Sequence, residues 1–280
     1  MPERVISINI HFVFARNARK LRNLRIELKN TCIFSKDANS AFSSSSLGEA
    51  RFGVINLEKP IKPTKIIIVR HGESYGNLKR IMAGQTDVEL TERGYLQARA
   101  AFHALSEEKI DAVYSSDLVR AVETARPHAE ARGLPIILNE GLREINLGDY
   151  EGRPISEIEK KVDPSFVTYW GEGFGTYAFP GGETAIEAGE RFYQALLKIA
   201  QMNEGKTLLV ATHAAVIRAF FGKIRGIDAQ RLGGEVPFPT NASYSVVELR
   251  GGGFVPLLFS VCDHLREIGF LDTTKDKSAK

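Results

Sequence analysis

The sequence predicts an α/β fold: a three-layer α/β/α sandwich around a mainly parallel central sheet, preceded by an irregular N-terminal extension. Three observations lead there. Short apolar runs such as Lys65–Val69 and Thr207–Thr212 have the length and β-branched content of strands buried on both faces. Segments with helical spacing of apolar residues alternate with these runs, as expected when helices cover both faces of a parallel sheet. Two late runs, Ser243–Leu249 and Phe254–Ser260, flank Arg250 and three glycines and read as a hairpin that places an antiparallel strand at one edge.

Taken in order, the ordered pattern begins after Pro63. The first strand ends in Arg70 and His71, and Gly72, Gly76 and Asn77 then turn the chain. Thr91 is a helix start with Glu92 in the first turn, and Leu96, Ala100 and Leu105 are expected on the buried face. Ala112–Ser115 is the next strand, Leu118–Ala131 a helix stopped by Gly133 and Pro135, and Ile136–Leu138 a third strand. Between about 148 and 183 the periodicity fails; this stretch is expected to hold a short helix near Ile155–Val162 and a lid over the ligand crevice. Thr184–Gln201 is a long helix with Ile186, Phe192, Leu196, Ile199 and Ala200 assigned to one apolar side. The fourth strand, Thr207–Thr212, runs into a helix that starts at His213.

The expected domain plan is an extension over 1–62, one catalytic domain over 63–268 and a charged tail over 269–280. In the first thirty residues Arg4, Arg16, Arg19, Lys20, Arg22, Arg25 and Lys29 face only Glu3 and Glu27. That leader reads as a poorly ordered extension in preference to an organelle-targeting peptide. The net charge of +3 resides largely there, so the rest of the chain is close to neutral and a nucleic-acid partner is not expected. No apolar run approaches the roughly 18 residues a membrane span needs, so no membrane partner is expected either. Cys32 and Cys262 form no C-x-x-C pair, which speaks against a zinc site or disulfide framework and favours a reducing, cytoplasmic location.

The chemistry gathers at strand ends. In a parallel sheet, Arg70 and His71 after the first strand, Ser115, Ser116 and Arg120 after the second, Glu144 on the loop after the third, and His213 after the fourth can converge on one crevice. Two arginines and two histidines there suit a phosphate dianion, which a guanidinium grips through paired hydrogen bonds. A neutral imidazole is a competent nucleophile near pH 7 without a separate base. Arginines and a protonated His213 would neutralise the phosphoryl charge with no metal or other cofactor.

The motifs R-H-G-E-S-Y-G-N, S-D-L-V-R-A-V-E-T-A, L-R-E and the late T-H resemble those of the histidine phosphatase superfamily, the phosphoglycerate mutase-like group, over about residues 65–265. The resemblance implies that His71 becomes phosphohistidine, that Arg70, Arg120, His213 and Asn77 hold the phosphoryl oxygens, and that Glu144 donates the proton to the leaving alcohol. Asp149 and Glu151 are rival acids, disfavoured because the family's L-x-E falls on Glu144. His11, His103, His128 and His264 are assigned structural or surface roles. One departure is Ala214, where the family usually has glycine.

The expected activity is metal-independent hydrolysis of a small phosphomonoester. The segment from D-Y-E-G-R-P to P-G-G-E-T is similar to the small-molecule phosphatase branch, and a mutase within the family is the first alternative. A serine hydrolase is the second, since Gly72-Glu73-Ser74-Tyr75-Gly76 satisfies G-x-S-x-G. A non-catalytic phospho-ligand binder is the third. The expected partners are a phosphorylated small molecule and, among macromolecules, at most a second copy of the chain as a homodimer. Tyr169, Trp170, Phe174 and Tyr177 in the lid either meet a substrate ring or pack among themselves, and packing is the preferred reading.

Overall fold

Ile66, Ile67, Ile68 and Val69 are all 0% exposed, as expected for an inner strand covered on both faces. They belong to β1 (Thr64–Arg70) of the computed structural model, which describes residues 62–161, 172–267 and 269. The predicted extension apart from Lys62, Tyr169 and Trp170 of the lid, and nearly all of the charged tail lie outside the described residues.

A six-stranded sheet forms in the order β3-β2-β4-β1-β5-β6, with β2 at Ala112–Ser115, β3 at Ile136–Leu138, β4 at Thr207–Thr212, β5 at Tyr244–Arg250 and β6 at Gly253–Val261. β1 to β4 are parallel to one another, and β5 pairs antiparallel with both β1 and β6. The hairpin therefore differs from expectation in one respect: the antiparallel strand is β5, inside the sheet, and β6 forms the edge. The reason is that β5 uses both of its edges, one for β1 and one for β6.

Alternation along the strands sorts the core into two layers. Ile66, Ile68, Leu208 and Val210 pack with Phe192 and Leu196 of one long helix and Val216 and Phe220 of another. Ile67, Val69, Leu209 and Ala211 pack on the opposite face with Ala121, Ala125 and Ala129. Each fully buried aliphatic side chain contributes about 1.5–3 kcal/mol.

In chain order the helices are α1 (Tyr75–Leu78), α2 (Glu92–Ala104), α3 (Val119–Glu130), α4 (Ile155–Lys161), α5 (Ala185–Gln201), α6 (Ala214–Ile224), α7 (Ala229–Glu235) and α8 (Asp263–Glu267). Thr91 caps α2 by accepting from Gly94 N, and Thr184 forms a capping box with Glu187 on α5. Leu96 and Ile186 do not face the core as expected; they are 43% and 41% exposed. In α2 the buried stripe is Gly94, Gln97, Ala98 and Ala101, and in α5 it is Ala185, Ala188, Gly189 and Phe192. Leu96 and Ile186 each lie about 100° of helix rotation away from a stripe member. Glycines let α2 meet the loop after β1: a Cβ on Gly72 would stand 2.5 Å from Gly94 O, and one on Gly94 would stand 2.0 Å from Glu73 O.

His128 of α3 is 0% exposed, packs edge-on to Phe102, and has no hydrogen-bond partner at either ring nitrogen. Burial, aided by the nearby Arg132 charge, pushes its pKa down to about 3. The unfolded chain takes up this proton near histidine's ordinary 6.5, so folding stability falls as pH drops below that value and keeps falling toward the folded pKa. By pH 5 this one group should cost about 2 kcal/mol. Denaturant melts at pH 7 and pH 5 should therefore show His128→Leu losing about 2 kcal/mol less than the parent chain. An equal loss in both would contradict the assignment.

Candidate active site

The carboxyl ends of β1, β2 and β4 open into a cavity of about 560 Å³, lined by Arg70, His71, Asn77, Arg120 and Glu144, among others. His213 is not among the lining residues. It is fully buried beside His71, with ring centroids 5.2 Å apart.

His71 follows the last residue of β1 and is held on several sides. Its N–H donates to Thr212 O, and its carbonyl accepts from Ala242 N and from Asn241 Nδ2. The ring Nδ1 lies 2.7 Å from Gly72 O, an acceptor only, so Nδ1 carries the hydrogen and Nε2 keeps its lone pair. Burial, followed by the Arg120 and Arg70 charges, holds the His71 pKa well below its ordinary value; the bond to Gly72 opposes the shift without reversing it. The ring is thus neutral at pH 7.

His213 is shifted the same way, first by burial and then by Arg120, His71, Arg70 and Arg191. The expectation of a protonated His213 is therefore corrected: an imidazolium here would be desolvated among several cationic groups. Its Nε2 lies 2.8 Å from Ser116 Oγ, and its Nδ1 has no hydrogen-bond partner.

Arg120 reaches the cavity from the first turn of α3 and is 1% exposed. Its Nη1 donates to Thr86 O at 2.9 Å and its Nη2 to Gly84 O at 2.7 Å, with further N–H donors left for an anion. Burial lowers its pKa, with Glu144, Asp87 and Glu151 opposing. Arg70 Nη1 donates to Pro239 O. Asn77 Oδ1 accepts from Ser74 N, Ser74 Oγ and Asn241 Nδ2, which turns the amide's Nδ2 into its remaining donor group.

Glu144 sits at the N-terminus of α6. Its carboxylate accepts from Ile145 N at 2.9 Å, from Ala215 N at 3.2 Å and from Val216 N at 3.3 Å. A helix N-terminus offers unpaired N–H groups and a favourable dipole to such an anion. Of the rival acids, Glu151 is occupied by Gln85 N, Leu147 N and Thr86 Oγ1, and Asp149 is solvent-exposed. Ala214 lines the cavity as the first residue of α6.

Ser74 serves as the N-cap of α1: its Oγ accepts from Asn77 N and donates to Asn77 Oδ1. The histidine a serine hydrolase would need as its base, His213, pairs with Ser116 instead. Ser74→Ala is expected to lower the melting temperature through the lost cap, about 1 kcal/mol, and to keep turnover within about tenfold because no proton relay is broken. A loss as large as that of His71→Ala would reinstate the hydrolase reading.

Two positioning groups escaped sequence reasoning. Arg191 of α5 donates to Gly141 O, Arg143 O and Glu144 O and pairs with Glu183 at 2.6 Å, fixing the loop that carries Glu144. Asn241 bridges His71 O and Asn77 Oδ1 from the loop before β5. Of the expected lid aromatics within the described residues, Phe174 is 0% exposed with the Arg218 guanidinium 4.3 Å from its ring centre, and Tyr177 packs edge-on to Phe179; neither lines the cavity.

The family model described as the histidine phosphatase superfamily (branch 1) matches residues 66–261. Phosphoglycerate mutase-like protein 4 of Arabidopsis thaliana is 34% identical, over 75% of this chain and 90% of its own length. The metal-independent phosphoserine phosphatase of the same plant is 33% identical, over 78% and 90%. The solved structure of Bacillus stearothermophilus YhfR superposes with a TM-score of 0.68 at 31% identity, covering 72% of this chain and 99% of that one. Among the described residues no helix is long and apolar enough to cross a membrane. The chain belongs to the histidine phosphatase superfamily, branch 1.

Proposed function

We propose that the protein is a phosphatase that hydrolyses small-molecule phosphomonoesters through a phosphohistidine on His71 Nε2. The observation that carries this reading is a neutral, desolvated imidazole whose Nδ1–H is committed to Gly72 O, set in a cavity that Arg70 and Arg120 also line. An N–H already donated to a carbonyl leaves Nε2 as the nucleophile and disperses the positive charge that grows on the ring as the P–N bond forms.

In the first step Nε2 attacks phosphorus and the ester P–O bond breaks. Arg70, Arg120 and the Asn77 amide hold the phosphoryl oxygens, and the Glu144 carboxyl gives a proton to the leaving alkoxide. In the second step the Glu144 carboxylate takes a proton from water, the oxygen attacks phosphorus, and the P–N bond returns its electron pair to Nε2. Inorganic phosphate departs and the neutral imidazole is restored. His213, held by Ser116, supports the His71 ring from the buried side.

The relatives include both a phosphatase and a mutase-like protein, so the first experiment separates the two outcomes. A panel of phosphomonoesters, phosphoserine among them, is assayed with EDTA present for release of inorganic phosphate and for isomerised phosphoester. Release that persists in chelator is the expected result. Loss of activity in chelator would contradict the mechanism, and isomerisation without release would make the chain a mutase.

A further inference from the structure

The cavity holds a third arginine that the proposed phosphoryl chemistry does not use. Arg80 lines the cavity with Arg70 and Arg120. Arg70 and Arg120 each donate to backbone carbonyls, whereas the Arg80 guanidinium has neither a hydrogen bond nor an ion pair among the described residues. The adjacent cations are differently placed: Lys79 stands over the Tyr75 ring and Arg153 over the Tyr150 ring, each 5.5 Å from the centroid.

The acidic lining does not neutralise it. Glu73 is engaged by Thr91 Oγ1 at 2.8 Å and by Arg93 at 3.8 Å, and Glu144 by the N-terminus of α6. A positive charge is therefore left over in a pocket whose other two arginines suffice for one phosphate.

The backbone fixes where this arginine stands. Arg80 has φ +51°, an uncommon and strained conformation for a residue with a Cβ. Flanking bonds impose it: Arg80 N donates to Asn77 O, Arg80 O accepts from Ile155 N at 2.9 Å, and Ile81 bridges Pro154. The strained residue thus lies three positions after Asn77, directly beyond the end of α1.

We propose that Arg80 binds a second anionic group on the substrate, so that the preferred substrates are small phosphomonoesters bearing a carboxylate or a second phosphate. The inference rests on the phosphatase reading above. A planar guanidinium pairs with either anion through two parallel N–H···O bonds, and a cavity of about 560 Å³ suits a molecule of metabolite size.

The test compares kcat/KM within matched pairs that differ in the second anion: phosphoserine against phosphoethanolamine, 3-phosphoglycerate against glycerol 3-phosphate, and fructose 1,6-bisphosphate against fructose 6-phosphate. The first two pairs report a carboxylate and the third a phosphate. The wild-type chain should favour the anion-bearing member of at least one class by about tenfold or more. Arg80→Met should bring that ratio to within about twofold of unity, and Arg80→Lys, which keeps the charge but not the fork, should retain part of it. Because each ratio is taken within one variant, a general loss of activity cancels. A preference that survives in Arg80→Met, or none in the wild type for any pair, would overturn the assignment while leaving the phosphatase reading intact. Wild-type protein that hydrolyses none of the esters would overturn both.

Discussion

His71→Asn is expected to lose phosphatase turnover by at least about 10⁴-fold, because it removes the atom that forms the covalent intermediate. The asparagine is smaller and uncharged and leaves the hydrogen bonds of the residue 71 backbone to Thr212, Ala242 and Asn241 available, so melting should show a folded protein. The pH dependence of the parent chain carries the same information. Nε2 must be unprotonated to attack, and burial with Arg120 and Arg70 holds the His71 pKa well below its ordinary value. The acid limb of kcat/KM caused by this group should therefore lie below histidine's usual range, with activity maintained as pH falls through about 6.5. An acid limb of this group at or above that range would contradict the electrostatics.

Glu144→Gln carries the second large effect, about 10²–10⁴-fold on esters whose leaving group is a simple alcohol. The amide occupies the same space at the start of α6 and its Oε1 can still accept from the N–H groups there, but it has no proton to give. A leaving group that needs no protonation, such as p-nitrophenolate, should suffer far less in the phosphorylation step. Phosphohistidine should then persist longer, because the same residue activates water. Equal losses on alkyl and aryl esters, with no change in the lifetime of the intermediate, would remove Glu144 from the acid–base role. Ala214→Gly, next to this carboxylate, tests a smaller point: relief of crowding should raise turnover a few-fold, and an unchanged rate would show that the methyl group is tolerated.

Much of the fold was legible because its inner strands are short β-branched runs with no polar face, and the sheet follows from alternating them with helices. Leu96 and Ile186 are misplaced because apolar character alone does not say which of two adjacent helix positions joins the buried stripe; in α2 that stripe is made of a glycine, a glutamine and alanines, which carry little hydrophobic signal. At the candidate site, residues at strand ends were legible because a parallel sheet sends them to one side. What connects them was not. The bonds of Arg191 to the Glu144 loop, of Asn241 to His71 and Asn77, and of Ser116 to His213 join residues 47 to 170 positions apart. Local spacing holds no record of such contacts. The protonation state of His213 is hidden for a related reason: the groups that oppose a charge on it, Arg70 with His71, Arg120 and Arg191, come from three separate segments.

The most direct measurement is acid-free quenching of the enzyme during turnover of a phosphomonoester, followed by peptide mass spectrometry. A phosphoryl group on His71, labile to acid, chased by excess unlabelled substrate and absent from His71→Asn, is the predicted result. Turnover with no phosphoryl group on His71, or with one on Ser74 instead, would contradict the account.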